Sequence, residues 1–211
     1  MGLVLEVNHV SKFFKRDRAL KDISFQGESG QIIGFTGHNG CGKTVLFKCI
    51  LGLYKVDKGT IKINNEEVGI GEDMPRCTAF SIENPAFNER YSGRKNLSYL
   101  YELNHKKDLL YINRIMEKVG LNPSVKKPVS KYSLGMKQRL AIAQVLMENQ
   151  DLLIFDEPMN GLDRKGVEDI RKLILDEKKK GKLILLASHN ADDFKILCDH
   201  VYTMEYGYFI N

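Results

Sequence analysis

Cysteine is scarce in this chain and patternless: Cys41, Cys49, Cys77 and Cys198 are its only four, and no two stand at Cys-x-x-Cys spacing. That argues against a zinc site and against a disulfide framework, and it suits a reducing cytoplasm. No apolar run approaches the ~18 residues needed to cross a bilayer. The N-terminal stretch is interrupted by Glu6 and His9 and lacks a signal-peptide layout. Internal repeats and low-complexity tracts are missing too, which excludes solenoid and disordered architectures. Charge of one sign is in short supply, since the formal net charge is only +5 on 211 residues, too mild to argue for a nucleic-acid partner. The run Lys178-Lys179-Lys180 falls at the end of an expected helix, where cations complement the helix dipole.

A hydrophobic content of 43% lets a chain of 211 residues bury one large core, so a single domain with an inserted lobe is expected, not two independent domains. The insertion is expected to run from Pro85 to Met147, with helical patterns over 93–104 and 108–119 and a loop bearing Lys and Pro at 121–129. Gln31 to Thr36 reads as a short buried strand and Thr44 to Leu51 as a mostly apolar helix. Between them stands Gly37-His38-Asn39-Gly40-Cys41-Gly42-Lys43-Thr44, the Gly-x-x-x-x-Gly-Lys-Thr pattern of a phosphate loop. Its glycines let successive N–H groups converge on phosphate oxygens at a helix N-terminus. Lys43 is then expected at the β/γ-phosphates and the Thr44 hydroxyl on Mg²⁺. Cys41 is either an activated thiol beside Lys43 or a small residue tolerated for its size.

A second carboxylate-bearing strand completes the metal chemistry. Leu152-Leu153-Ile154-Phe155 is a continuous apolar run ending in Asp156-Glu157-Pro158, and open α/β sheets present ligand-binding groups at such strand ends. Asp156 is the expected Mg²⁺ partner, acting through water, and Glu157 the group that polarises the attacking water. Pro158 has no N–H and forces a turn. Another apolar strand, Leu183 to Ala187, ends in Ser188-His189.

Well downstream of the phosphate loop lies Tyr132-Ser133-Leu134-Gly135-Met136-Lys137-Gln138-Arg139, which resembles the signature sequence of ABC-type ATPases. The resemblance covers essentially the whole chain, and it implies an α/β fold. That fold has a phosphate-loop NTPase core of RecA-like type with a mostly parallel sheet, an N-terminal antiparallel β subdomain and an inserted α-helical subdomain. The division implied is 1–84 and 148–211 for the catalytic core and 85–147 for the helical subdomain. Further roles follow from the resemblance. ATP is the nucleotide; Phe14 is the aromatic on which adenine stacks, although Phe13 and Phe14 also suit a hairpin core. Asp163, in Asn160-Gly161-Leu162-Asp163, belongs to the dimer-contacting D-loop, and His189 is the switch histidine that touches the γ-phosphate.

Ser133, Leu134, Gly135 and Met136 of one subunit are expected to complete the phosphate site of another in a nucleotide-dependent dimer, either of two copies or with a related ATPase. Read from residue type alone, Ser133 is a helix N-cap, and both roles can hold at once. Leu134 and Met136 depart from the commoner Gly and Gln of the family, and Met159 stands where Thr is common. Glu83 stands where most members carry the Gln that touches Mg²⁺, and in this it resembles the branch that exports bacitracin-like peptides and lantibiotics; the other reading is an exposed loop residue. The function implied is the ATP-hydrolysing subunit of an exporter of a peptide antibiotic, lantibiotic or other drug, seated on the cytoplasmic face of the membrane against separate transmembrane permease subunits. Two alternatives are a soluble mechanical ATPase of the same type, acting on DNA or ribosomes, and a nucleotide sensor that does not hydrolyse.

Overall fold

Residues 2–15, 17–69, 74–82 and 86–210 are described in the computed structural model; Glu83 lies outside the described residues. Strands β1 (Val4–Phe14), β2 (Asp17–Glu28), β4 (Lys58–Ile63) and β5 (Glu66–Glu67) form an antiparallel sheet in the order β2-β1-β4-β5. Period-2 alternation puts Leu5 and Val7 on the buried face, opposite Ile63 and Ile61. The register slips between Val7 and Val10, where His9 takes a left-handed φ of 51°. That bulge returns Val10 to the buried face against Ile23.

The second sheet runs β10-β9-β3-β8-β7-β6, from β3 (Ile32–Thr36), β6 (Thr78–Ser81), β7 (Leu152–Asp156), β8 (Leu183–Ala187), β9 (His200–Glu205) and β10 (Tyr208–Ile210). All neighbouring pairs are parallel except β9 with β10. Phe35 and Asp156 both pair with Ala187, so β3, β7 and β8 end at one level. The phosphate loop, Glu157 and His189 therefore leave the sheet along the same edge, the place where parallel sheets hold ligands.

Both faces of this sheet are covered, and alternation along each strand divides the core in two. Leu152, Ile154, Leu183 and Leu185 face β1, β2, β4 and helix α1 (Lys43–Ile50). Leu153, Phe155, Ile184 and Leu186 face the opposite layer, made of α2 (Gly93–Tyr101), α3 (Leu109–Lys118), α4 (Leu134–Met147), α5 (Arg164–Lys179) and α6 (Ala191–Leu197). Leu97, Ile112, Met116, Leu140 and Ala143 of the inserted helices belong to that same cluster. The insertion thus shares its core with the sheet instead of owning one. Helix α2 stops at Tyr101, short of the pattern expected to 104, and the backbone beyond it closes in turns, with the Leu103 and Asn104 N–H groups donating to the carbonyls of Leu100 and Tyr101.

Candidate functional site

Gly37 and Gly42 make the phosphate loop's path possible. They hold φ of 145° and 117°, and a Cβ on Gly37 would overlap the Met204 carbonyl while one on Gly42 would sit 2.7 Å from the Ala19 carbonyl. Gly42 is also the N-cap of α1 and, having no side chain, does not cap the first-turn N–H groups. The Lys43 ammonium is buried and folds onto the loop itself, donating to the carbonyls of Gly37 at 2.6 Å and His38 at 3.3 Å.

The loop turns its backbone outward and Cys41 inward. The Cys41 side chain is 1% exposed and its Sγ lies 3.7 Å from Lys43 Nζ. The thiol expected among the phosphate-facing groups is thus enclosed in the core, which fits the small-residue reading. His38, Asn39 and Gly40 stand exposed, and the His38 ring lies 5.2 Å from the ring of Tyr206.

Across the sheet edge, the Thr44 hydroxyl donates to Asp156 Oδ2 at 2.8 Å. Glu157 sits in the left-handed region at φ 53°, a placement that costs about 1–3 kcal/mol and persists only where neighbours over-determine it. They do: its N–H donates to the Ala187 carbonyl at 3.0 Å, and its carbonyl accepts from Gln138 Nε2 at 3.3 Å. Its carboxylate meets His189 Nδ1 at 2.9 Å. The sequence-expected groups Asn39, Gly40, Gly42, Lys43, Thr44, Asp156 and Glu157 line one cleft of about 520 Å³; Leu134, expected to serve another subunit, lines it within the chain, and Ala19, Gln138 and Asn160 join them. Gln138 was not expected in the site. Its signal was helical spacing, since it stands four residues beyond Leu134 and shares its face.

Phe14 ends β1 at 40% exposure, edge-on to Tyr54 with centroids 5.3 Å apart and with Lys12 Nζ 5.4 Å above its ring. Among the described residues of the hairpin, Ala19 lines the cleft. Ser133 is the N-cap of α4, accepting from the Met136 N–H at 3.2 Å, while Leu134 stands 62% exposed beside it and Met136 packs on the core. Asp163 caps α5 by accepting from the Gly166 N–H at 2.8 Å.

The start of α4 and the loop before α5 touch within the chain. Gly161 has φ 74°, and a Cβ there would overlap the Leu134 side chain; one on Gly135 would lie 3.0 Å from the Gly161 carbonyl. The two glycines allow that close approach, so signature and D-loop form one surface.

The chain matches the family model described as ABC transporter over residues 20–160. It is 37% identical over 207 residues to the uncharacterized ABC transporter ATP-binding protein YybJ of Bacillus subtilis (strain 168), covering 97% of this chain and 94% of that protein. To the bacitracin transport ATP-binding protein BcrA of Bacillus licheniformis it is 35% identical over 205 residues, which are 95% of this chain and 66% of that protein. The solved structure of an ATP-binding subunit of an ABC transporter superposes with a TM-score of 0.87 at 26% identity, covering 97% of this chain and 87% of that one.

Proposed function

The chain belongs to the ABC transporter family as a subunit that binds and hydrolyses ATP, and on that premise we propose how its residues divide the work. The observation that carries the proposal is the convergence of Lys43, Thr44, Asp156 and the Glu157–His189 pair on one sheet edge. On binding, the Lys43 ammonium exchanges the neutral carbonyls of Gly37 and His38 for β/γ-phosphate oxygens, so that both donor and acceptor carry charge.

Thr44 and Asp156 supply hard oxygen donors already in contact, a set that fits Mg²⁺ completed by phosphates and water. When bound, the metal neutralises charge on the phosphates. Glu83 is the further ligand we assign to it. Glu157 orients the attacking water and accepts its proton, while His189 bridges that carboxylate to the γ-phosphate.

Ser133 and Gly135 serve a nucleotide held by a second subunit, which is either another copy or a related ATPase. The exposure of Leu134 at this helix start supports that assignment. No helix among the described residues is long and apolar enough to cross a membrane. We assign the pore to separate permease chains and this subunit to the cytoplasmic face, a reading that membership of the ABC transporter family supports. A groove of about 640 Å³ between the β6 edge and the ends of α2 and α4, with Leu103 on its rim, is the docking place we assign to a permease helix. The cargo we propose is a peptide antibiotic. Glu83 at the Gln position and the likeness to BcrA both support export over a mechanical role on DNA or ribosomes.

Glu157→Gln tests the reading. It should bind Mg·ATP normally, hydrolyse it about 10²–10⁴-fold more slowly, and accumulate as an ATP-bound dimer on size-exclusion chromatography. Wild-type turnover would remove Glu157 from the role of base, and a persistent monomer would remove the shared site.

A further inference from the structure

Asp193 belongs to none of the motifs that define the site, yet it is fully buried, at 0% exposure. Both of its oxygens are engaged. Arg171 of α5 donates to Oδ1 from Nε at 2.9 Å and from Nη2 at 2.5 Å, and Ser188 donates its hydroxyl to Oδ2 at 2.6 Å. Ser188, only 3% exposed, accepts in turn from the Asn190 N–H at 3.1 Å. One hydroxyl therefore fixes the backbone on both sides of His189. A hydroxyl has a single proton, and with that proton committed to Asp193 its lone pairs must face the Asn190 N–H. The direction of the turn is thus set by a buried charge.

The His189 side chain is 67% exposed, so packing does little to orient it, and still its Nδ1 lies 2.9 Å from Glu157. Orientation has to come from the backbone beneath. A structural ion pair alone would be satisfied by Arg171 and Asp193; the second oxygen is spent on the residue before the switch histidine. We infer that Asp193, clamped by Arg171, is a positioning residue for ATP hydrolysis, acting through Ser188 to hold His189 in reach of Glu157. The inference rests on the reading of His189 and Glu157 as the hydrolytic pair. Arg171 lies on the helix that Asp163 caps, so the same chain of contacts joins the D-loop helix to the switch.

The deciding variant is Ser188→Ala, which keeps both members of the Arg171–Asp193 pair and removes only the hydroxyl between Asp193 and the turn. Steady-state ATPase and equilibrium binding of Mg·ATP are measured for it, for Ser188→Thr, for His189→Ala and for the double variant Ser188→Ala/His189→Ala. Loss of one oriented hydrogen bond should lower kcat by about 10-fold, with ATP affinity held within about twofold. The hydroxyl of Ser188→Thr should restore most of the rate. In the His189→Ala background, Ser188→Ala should cost nothing further, because there is no imidazole left to position. A wild-type kcat for Ser188→Ala, or a full additional loss in the His189→Ala background, overturns the inference while leaving the hydrolytic pair standing. A wild-type kcat for His189→Ala overturns the pair itself and the inference with it. Asp193→Asn strands the Arg171 charge in the core and is read only alongside these, as a variant expected to lose both stability and kcat.

Discussion

Replacing Glu177 by Gln should cost the fold about 1–3 kcal/mol, a figure that follows from who surrounds the carboxylate. Its side chain, 3% exposed near the end of α5, meets Lys118 at 2.5 Å, Lys180 at 2.8 Å and Lys182 at 3.6 Å. Breaking a buried ion pair by removing one partner typically costs about 3–5 kcal/mol. Here the penalty is smaller, because Lys118 and Lys180 are 35% and 53% exposed and can swing into water. Lys182, at 7% exposure, cannot; it keeps Asn149 Oδ1 at 2.9 Å and the Gln150 carbonyl at 2.8 Å. For a chain of this size the loss corresponds to a drop in Tm of roughly 3–10 °C.

A second arm uses pH. Burial pushes the Glu177 carboxyl upward, but hydrogen bonds from Lys118 and Lys180 outweigh it and hold the group below its ordinary value of 4.5. A group depressed in the folded state stabilises above its unfolded pKa, and that stability is lost as pH falls through the folded value. The gap in Tm between wild type and variant, followed by circular dichroism, should therefore be complete at neutral pH and close below about pH 4.5. A variant that melts with wild type at neutral pH, or a gap that widens in acid, would refute the reasoning.

Lys43→Ala should abolish tight binding of Mg·ATP, since the ammonium that now holds two loop carbonyls has no replacement; unchanged affinity in a nucleotide titration removes Lys43 from that role. Gly161→Ala should destabilise by about 1–3 kcal/mol through a left-handed φ and overlap with Leu134, read as a shift in the urea midpoint, and an unchanged midpoint means that signature and D-loop do not pack as described. Cys41 should resist alkylation in the native protein and react only after denaturation. Cys49 and Cys198, each pushed up to about 12 by burial, should behave likewise; stoichiometric native labelling of Cys41 would contradict its enclosure.

What was legible in the sequence is the chemistry fixed by residue type at short spacing. The runs Leu152 to Phe155 and Leu183 to Ala187 read as buried strands because both of their faces are covered. The phosphate-loop strand and helix appear within one residue of expectation, at Ile32–Thr36 and Lys43–Ile50. Spacing places Cys41 in the loop without saying which way its side chain turns, so both readings of it stay open in the sequence; its burial in the fold favours the small-residue one.

The supports were illegible for a different reason. Arg171 and Asp193 are separated by 22 positions and Lys118 and Glu177 by 59, and nothing local in either member asks for the other. Read along the chain, Glu177 and Lys180 are an ordinary solvent-facing helical pair. Only the docking of α3 and of the β8 entry turns that carboxylate into a buried junction of three cations. The same holds at the site. Glu157 could be named from its strand, but the strained backbone that aims it depends on Gln138 from one layer and Ala187 from the next strand. A substitution at Gln138 or Ser188 should thus alter the rate with every catalytic side chain in place, whereas one at Glu177 should be read in stability alone.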